Sequence, residues 1–280
     1  MARTRVRFPL HRVRPAGRVG RVGRVVSVFA LSAALTAVAG CGSDDTSDAG
    51  EGKRKGGPRV VVTTTWEGAF AKAAGAENIK VIVPQSVHHA PDYDPKPSDL
   101  VAVAEADFVL YAPFEPYAEK IKEAAGSKAE LVEVALENDP ANVKAEVARL
   151  AGKFGTEQGA AAWNRTFDTE YATLRDGLKA AWPDGRSPNA VSHAFSRWAA
   201  VMAGVTTVGT FGPEAVTPGQ LSGLTAKKPA LVLDNAHMST GTVLPDSGAK
   251  EVDIVNYPGD DLDLLTVYRD AATALKKAMG

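Results

Sequence analysis

The sequence predicts an α/β protein of two lobes with mostly parallel sheets, joined by one long linker helix. Three observations carry that expectation. Strand-like and helix-like segments alternate over 59–155, the pattern of a parallel sheet with helical crossovers. Residues 156–182 show no strand signal but a sustained helical apolar spacing. Alternation then resumes through 183–280.

Taken in order, RVVVTT (59–64) is a short β-rich run, and WEGAFAKAAG (66–75) is helix-like up to Gly75. IKVIVP (79–84) is the next strand and leads into VPQSVHHAPDYDPKP (83–97). Proline removes backbone donors and restricts its neighbours, so this crowded stretch is a stiff loop. Pro97 and Ser98 open a helix that runs through Ala106, followed by strand DFVLYA (107–112), helix PYAEKIKEAAG (116–126) and strand AELVEVA (129–135). Asp139–Pro140 is a helix start, a capping side chain followed by proline in the first turn. Val143, Val147 and Leu150 then recur at i, i+4 and i+7. In the linker helix Trp163, Phe167, Tyr171, Leu174 and Leu178 share one face, and WPDG (182–185) closes it. Strand NAVS, helix FSRWAAVMAG, strand TTVGTF, helix TPGQLSGLTA, strands ALVLD and VDIV and a last helix from about Asp261 complete the second lobe.

The chain has 280 residues and a formal net charge of -1, which hides an asymmetry. Residues 1–40 carry eight arginines and no acid, leaving 24 basic against 33 acidic residues, about -9, in the remainder. Such a surface offers no basic field for nucleic acid. The arginines precede the apolar run VVSVFALSAALTAV (25–38), too short to span a bilayer, which takes ~20 residues. Basic, apolar and small segments in that order describe an export signal over 1–40. Its end, VAGC, resembles a bacterial lipobox, in which Cys41 is lipidated and becomes the new N-terminus. Cys41 is the only cysteine, so lipidation leaves no thiol for disulfides or metal sites. The two acyl chains would anchor the protein at the outer face of the cytoplasmic membrane. Residues 41–58 are polar and glycine-rich and read as a flexible tether.

Four of the five histidines lie outside the export signal: His88, His89, His193 and His237. Each follows the C-terminal end of a predicted strand, the edge at which open α/β sheets bind ligands. Neutral imidazole is a good ligand for zinc and related ions. Adjacent residues of an extended loop point apart, so one of His88 and His89 is expected to coordinate, with His89 the choice. Glu115, after DFVLYA, is the carboxylate candidate. Asp94 and Asn256 are further cleft candidates, and Glu67 and Asp260 also lie near strand ends. Plainer alternatives stand beside these: an exposed loop pair for His88 and His89, and a helix-capping role for His193.

The chain resembles the metal-binding lipoproteins of ABC importers for zinc and manganese. YDPKPSD (93–99) is similar to the family's Tyr-Glu-Pro-x-Pro-Ser-Asp signature, and SHAFSRWAAVMAG resembles its segment carrying a ligand histidine, here His193. The resemblance implies one divalent ion bound between the lobes, delivery to an ABC permease in the cytoplasmic membrane, and a monomer. Departures are visible. His89 lies two residues further from the tyrosine than usual, VALENDPANV lacks the second histidine, and Asn256 stands where the family has an aspartate. His237 has no counterpart and is a substitute ligand on this reading. Three histidines with a carboxylate or water favour zinc over Mn2+. An exported zinc hydrolase is disfavoured because His-Glu-x-x-His is missing, and GQLSG (219–223) is not a serine-hydrolase elbow. The stronger rival is a binding protein for a chelated metal or siderophore, for which a cleft too large for a bare ion would speak.

Overall fold

In a computed structural model of the protein, residues 57–87, 92–239 and 241–280 are described. The expected export signal, Cys41, nearly all of the tether, and both His88 and His89 lie outside them. The described chain runs β1 (Arg59–Val62), α1 (Thr65–Ala73), β2 (Asn78–Val81), α2 (Pro97–Glu105), β3 (Phe108–Tyr111), α3 (Ala118–Ala125), β4 (Glu130–Glu133) and α4 (Pro140–Phe154). After α5 (Glu157–Ala180) come β5 (Asn189–His193), α6 (Arg197–Ala203), β6 (Thr206–Phe211), α7 (Pro218–Thr225), β7 (Leu231–Asn235), β8 (Lys250–Ile254) and α8 (Leu264–Met279).

The strands form two four-stranded sheets in the orders β2-β1-β3-β4 and β6-β5-β7-β8. Every pairing in both is parallel. The two lobes thus share one topology although the sequence shows no repeat between them. In each, the chain reverses direction across the sheet at the central pair, β1 beside β3 and β5 beside β7. That reversal opens a crevice at the strand C-termini.

Local chemistry accounts for the element boundaries that matter. Asp139 caps α4, its side chain accepting from the Ala141 amide at 3.0 Å, and Pro140 occupies the first turn. Gly155, with φ of 71°, ends α4 in the left-handed conformation that favours glycine. Thr64 caps α1 in a reciprocal box, the Thr64 amide donating to Glu67 at 3.0 Å. Glu67 is drawn completely out of solvent by this cap.

The predicted face of α5 is the face that packs. Phe167 is stacked between Trp163 at 5.3 Å and Tyr171 at 5.8 Å, and Tyr268 of α8 meets it edge-on at 5.1 Å. These rings belong to one core that runs from Val60 and Leu110 of the first sheet through Phe167 and Leu178 to Leu233 and Ile254 of the second. Smaller clusters around Val109 and Ile121, and around Val191 and Val232, seal the other faces of the two sheets. Hydrogen bonds also cross between the lobes. Thr65 donates to the Pro258 carbonyl at 2.8 Å, and the Asn138 amide donates to the Asn256 carbonyl at 2.7 Å.

Candidate functional site

A cavity of about 640 Å³ lies where the C-terminal ends of the two sheets meet. From the first lobe it is lined by Thr64–Trp66 after β1, by the Val83–Val87 stretch after β2, and by Phe114, Glu115 and Tyr117 after β3. From the second come Phe195 after β5, Asn235, His237 and Met238 at β7, and Asn256 and Tyr257 after β8. Its walls are chiefly apolar, with Glu115 and His237 facing it from opposite lobes.

Glu115 is held on both oxygens. One accepts from the Ala112 amide at 3.1 Å and the other from the Tyr117 hydroxyl at 3.2 Å. Burial pushes its carboxyl up to about 8, and the neighbouring charge of Glu67 adds to the effect. Glu67 is raised as well, chiefly by its own burial. The Thr63 hydroxyl sits beside both carboxyls without reaching hydrogen-bond geometry to either. Tyr117 is raised first by burial and then by the two carboxylates. The first lobe therefore presents a dry acid pair, of which only Glu115 lines the cavity.

His237 is half-buried. Its ring stacks on Tyr257 with centroids 3.9 Å apart, and Nδ1 lies 2.8 Å from the Tyr257 hydroxyl. The Asn235 side chain accepts from the His237 amide at 3.0 Å and fixes the turn. With Nδ1 at hydrogen-bond distance from the Tyr257 hydroxyl, the tyrosine sets the ring orientation.

The other expected site residues are placed differently. His193 does not line the cavity. It is the last residue of β5, and its Nδ1 accepts the Phe195 amide at 3.1 Å, capping the short turn Ala194–Ser196. With Nδ1 accepting, the neutral ring carries its proton on Nε2, opposite to the arrangement of a metal-bound imidazole. Nε2 lies over Gly212, where a Cβ would come within 2.3 Å of it. The capping alternative is therefore what the geometry shows. Asp94 is exposed and paired with Lys120 at 2.5 Å, away from the cavity. Asn256 lines the cavity, but its Oδ1 accepts the Trp198 indole N–H at 2.8 Å, which gives it a structural task. Asp260 is exposed and Glu67 fully buried, and neither lines the cavity.

The aromatic walls are what sequence reasoning passed over. Trp66, Phe114, Phe195 and Tyr257 each follow a strand end closely, so the rule that singled out the histidines applies equally to them.

The profile of the family described as zinc-uptake complex component A, periplasmic, matches residues 60–227. Among solved structures, the chain is similar to the laminin-binding protein Lmb of Streptococcus agalactiae, described as an adhesin with metal-transporting activity. Identity is 16% over 80% of this chain and 100% of that one, with a TM-score of 0.61. The Zn(II)-bound ZnuA-like domain of AdcA from Streptococcus pneumoniae is 17% identical over 80% and 99%, with a TM-score of 0.55. The SBP FpvC from P. aeruginosa, in complex with Ni2+, is 16% identical over 79% and 95%, with a TM-score of 0.60. At these identities the likeness is one of fold. No curated protein matches the sequence. Among the described residues, no helix is long and apolar enough to cross a membrane.

Proposed function

The chain belongs to the family of the periplasmic zinc-uptake component A, metal-binding solute-binding proteins of ABC importers rather than enzymes, and from that premise we propose that it captures a divalent metal ion between its lobes and delivers it to an ABC permease. The observation that carries this reading is the presence of Glu115 and His237, one from each lobe, on the wall of a single cavity. Zinc is the first choice of metal because an imidazole and a carboxylate suit it, whereas manganese prefers more oxygen ligands. A histidine of the loop beyond Val87, His89 before His88, is the third donor proposed. His193 acts by holding the Phe195 amide and the turn that carries Phe195 into the cavity wall.

Cys41, at the end of VAGC, supports a lipid anchor that keeps the protein at the outer face of the membrane, within reach of the permease. Imidazole protonation competes with metal, so acid favours release. The test is calorimetric titration of zinc and manganese into the purified protein and its variants. One zinc should bind, weakened tenfold or more, on the order of a lost ligand's effect, by His237→Ala and Glu115→Gln. His193→Ala should lower thermal stability more than zinc affinity. Absence of zinc binding, or affinities unmoved by His237→Ala and Glu115→Gln, would refute the site.

A further inference from the structure

Two features of the cleft are foreign to a bare ion. The first is its size and surface. At about 640 Å³, it falls within the roughly 300–1,000 Å³ range of sites for small organic molecules and far exceeds the ~30 Å³ share of one water. Trp66 and Tyr257 stand together on one side, ring centroids 5.9 Å apart. Phe114, Phe195 and Met238 line the cavity while remaining 72%, 52% and 43% exposed. A metal cation gains nothing from such walls, because leaving water for an apolar surface costs it solvation. An organic skeleton gains from every apolar atom it covers.

The second feature is the sparse supply of donors. Among the described residues lining the cavity, Glu115 and His237 are the strong metal ligands. The side-chain oxygen of Asn235 is engaged by the His237 amide, and that of Asn256 by the Trp198 indole. Zinc in a protein takes four ligands.

Resting on the metal-binding reading above, we propose that the cleft takes its metal as a complex with an apolar, aromatic organic chelator. The chelator's own donors occupy the coordination positions that Glu115, His237 and the one histidine proposed from the 88–89 pair do not fill. Its rings cover Phe114, Phe195 and Met238, and Glu115 and His237 reach the metal itself. Two incomplete sets of contacts, apolar and coordinating, are then completed by one ligand.

The experiment uses the purified protein and three probes: zinc chloride, 1,10-phenanthroline, and the two mixed one to one. Phenanthroline is planar and aromatic, and as a bidentate ligand it leaves positions open on the metal. Native mass spectrometry identifies the bound species, and tryptophan fluorescence, with Trp66 in the wall, follows the titration. The expected species holds one zinc and one phenanthroline, with the complex bound about tenfold or more tighter than zinc alone. Phe114→Ser, at a position 72% exposed that does not threaten folding, should reduce that gain and leave the affinity for zinc alone unchanged. If zinc alone binds as tightly as the complex, or phenanthroline strips the zinc away, the chelate proposal falls and the metal site stands. Equal binding of phenanthroline without zinc overturns the metal's part in recognition, and no binding of any probe overturns both readings.

Discussion

Glu115→Gln should flatten the dependence of stability on pH. In the folded chain the Glu115 carboxyl is pushed up to about 8, first by burial and second by the charge of Glu67, from an ordinary value of 4.5. Between those values the folded protein holds a proton that the unfolded chain has released. The corresponding stability is complete below about 4.5 and is lost progressively as pH rises to about 8. At about 1.4 kcal/mol per pH unit, the window spans at most about 5 kcal/mol. Glutamine keeps the shape and an oxygen acceptor for the Ala112 amide or the Tyr117 hydroxyl, but it cannot ionise. Urea unfolding at pH 5, 7 and 9, with metal removed by EDTA, measures the effect. With a slope of about 1–3 kcal/mol per molar urea, the wild-type midpoint should fall relative to Glu115→Gln by at most about 1–4 M between pH 5 and 9. Glu67→Gln, which removes the second cause and leaves the first, should make the decline end at a lower pH and shrink it without abolishing it. Parallel midpoint curves for wild type and Glu115→Gln across this range would refute the assignment of a proton to the buried pair.

Five further substitutions probe four separate features. Gly212→Ala places a Cβ within 2.3 Å of His193 Nε2 at a φ of 72°, and should cost about 2–3 kcal/mol. His193→Ala in the same chain should recover part of that loss, read in a double-mutant cycle. Tyr257→Phe, by freeing the His237 ring, should weaken zinc binding about tenfold or more, measured by calorimetry, while helical content stays constant. Asp139→Ala removes the α4 cap and should lower stability by about 1 kcal/mol, visible in the urea midpoint. Asp253→Asn should raise it. Asp253 pairs in register with Asp234, whose Oδ2 is buried and unpartnered, and the two lie with Glu251 within 4.8 Å. Relief of that repulsion is worth about 0.2–1 kcal/mol and should shrink in 1 M salt, on the order of a 3 Å screening length.

The fold was legible because its signals are local. Asp139–Pro140 caps and starts α4 through contacts within four residues, and the Trp163–Leu178 spacing needs only helical geometry to define a face. The site was legible only in part. A residue just past a strand end is placed at the binding edge, which is enough to bring His237 and Glu115 to the cavity. The direction of its side chain depends on the pleat and on what the next turn demands. His193 is the last residue of its strand, and the turn that follows takes its Nδ1 as a cap. Nothing in the order of residues distinguishes that histidine from His237, whose ring lies against Tyr257, twenty positions away and on a different strand end. The shared core of the two lobes was equally invisible, since it depends on long-range packing of α5 and α8.

That shared core bears on how the cleft can choose a ligand. Separating the lobes would expose the rings of Phe167, Tyr268 and Trp198. It would also break the Thr65–Pro258 and Asn138–Asn256 hydrogen bonds, and the one from the Tyr268 hydroxyl to the Asn138 carbonyl at 2.9 Å. Each buried group left unpaired costs about 1–3 kcal/mol. A wide opening is therefore expensive compared with the whole stability of a typical domain, about 5–15 kcal/mol. The cavity is consequently preformed, and its walls meet the ligand largely as they stand. A preformed apolar cleft with few donors among its described residues discriminates by fit: it favours a ligand that brings both further donors and the surface to cover its aromatic walls.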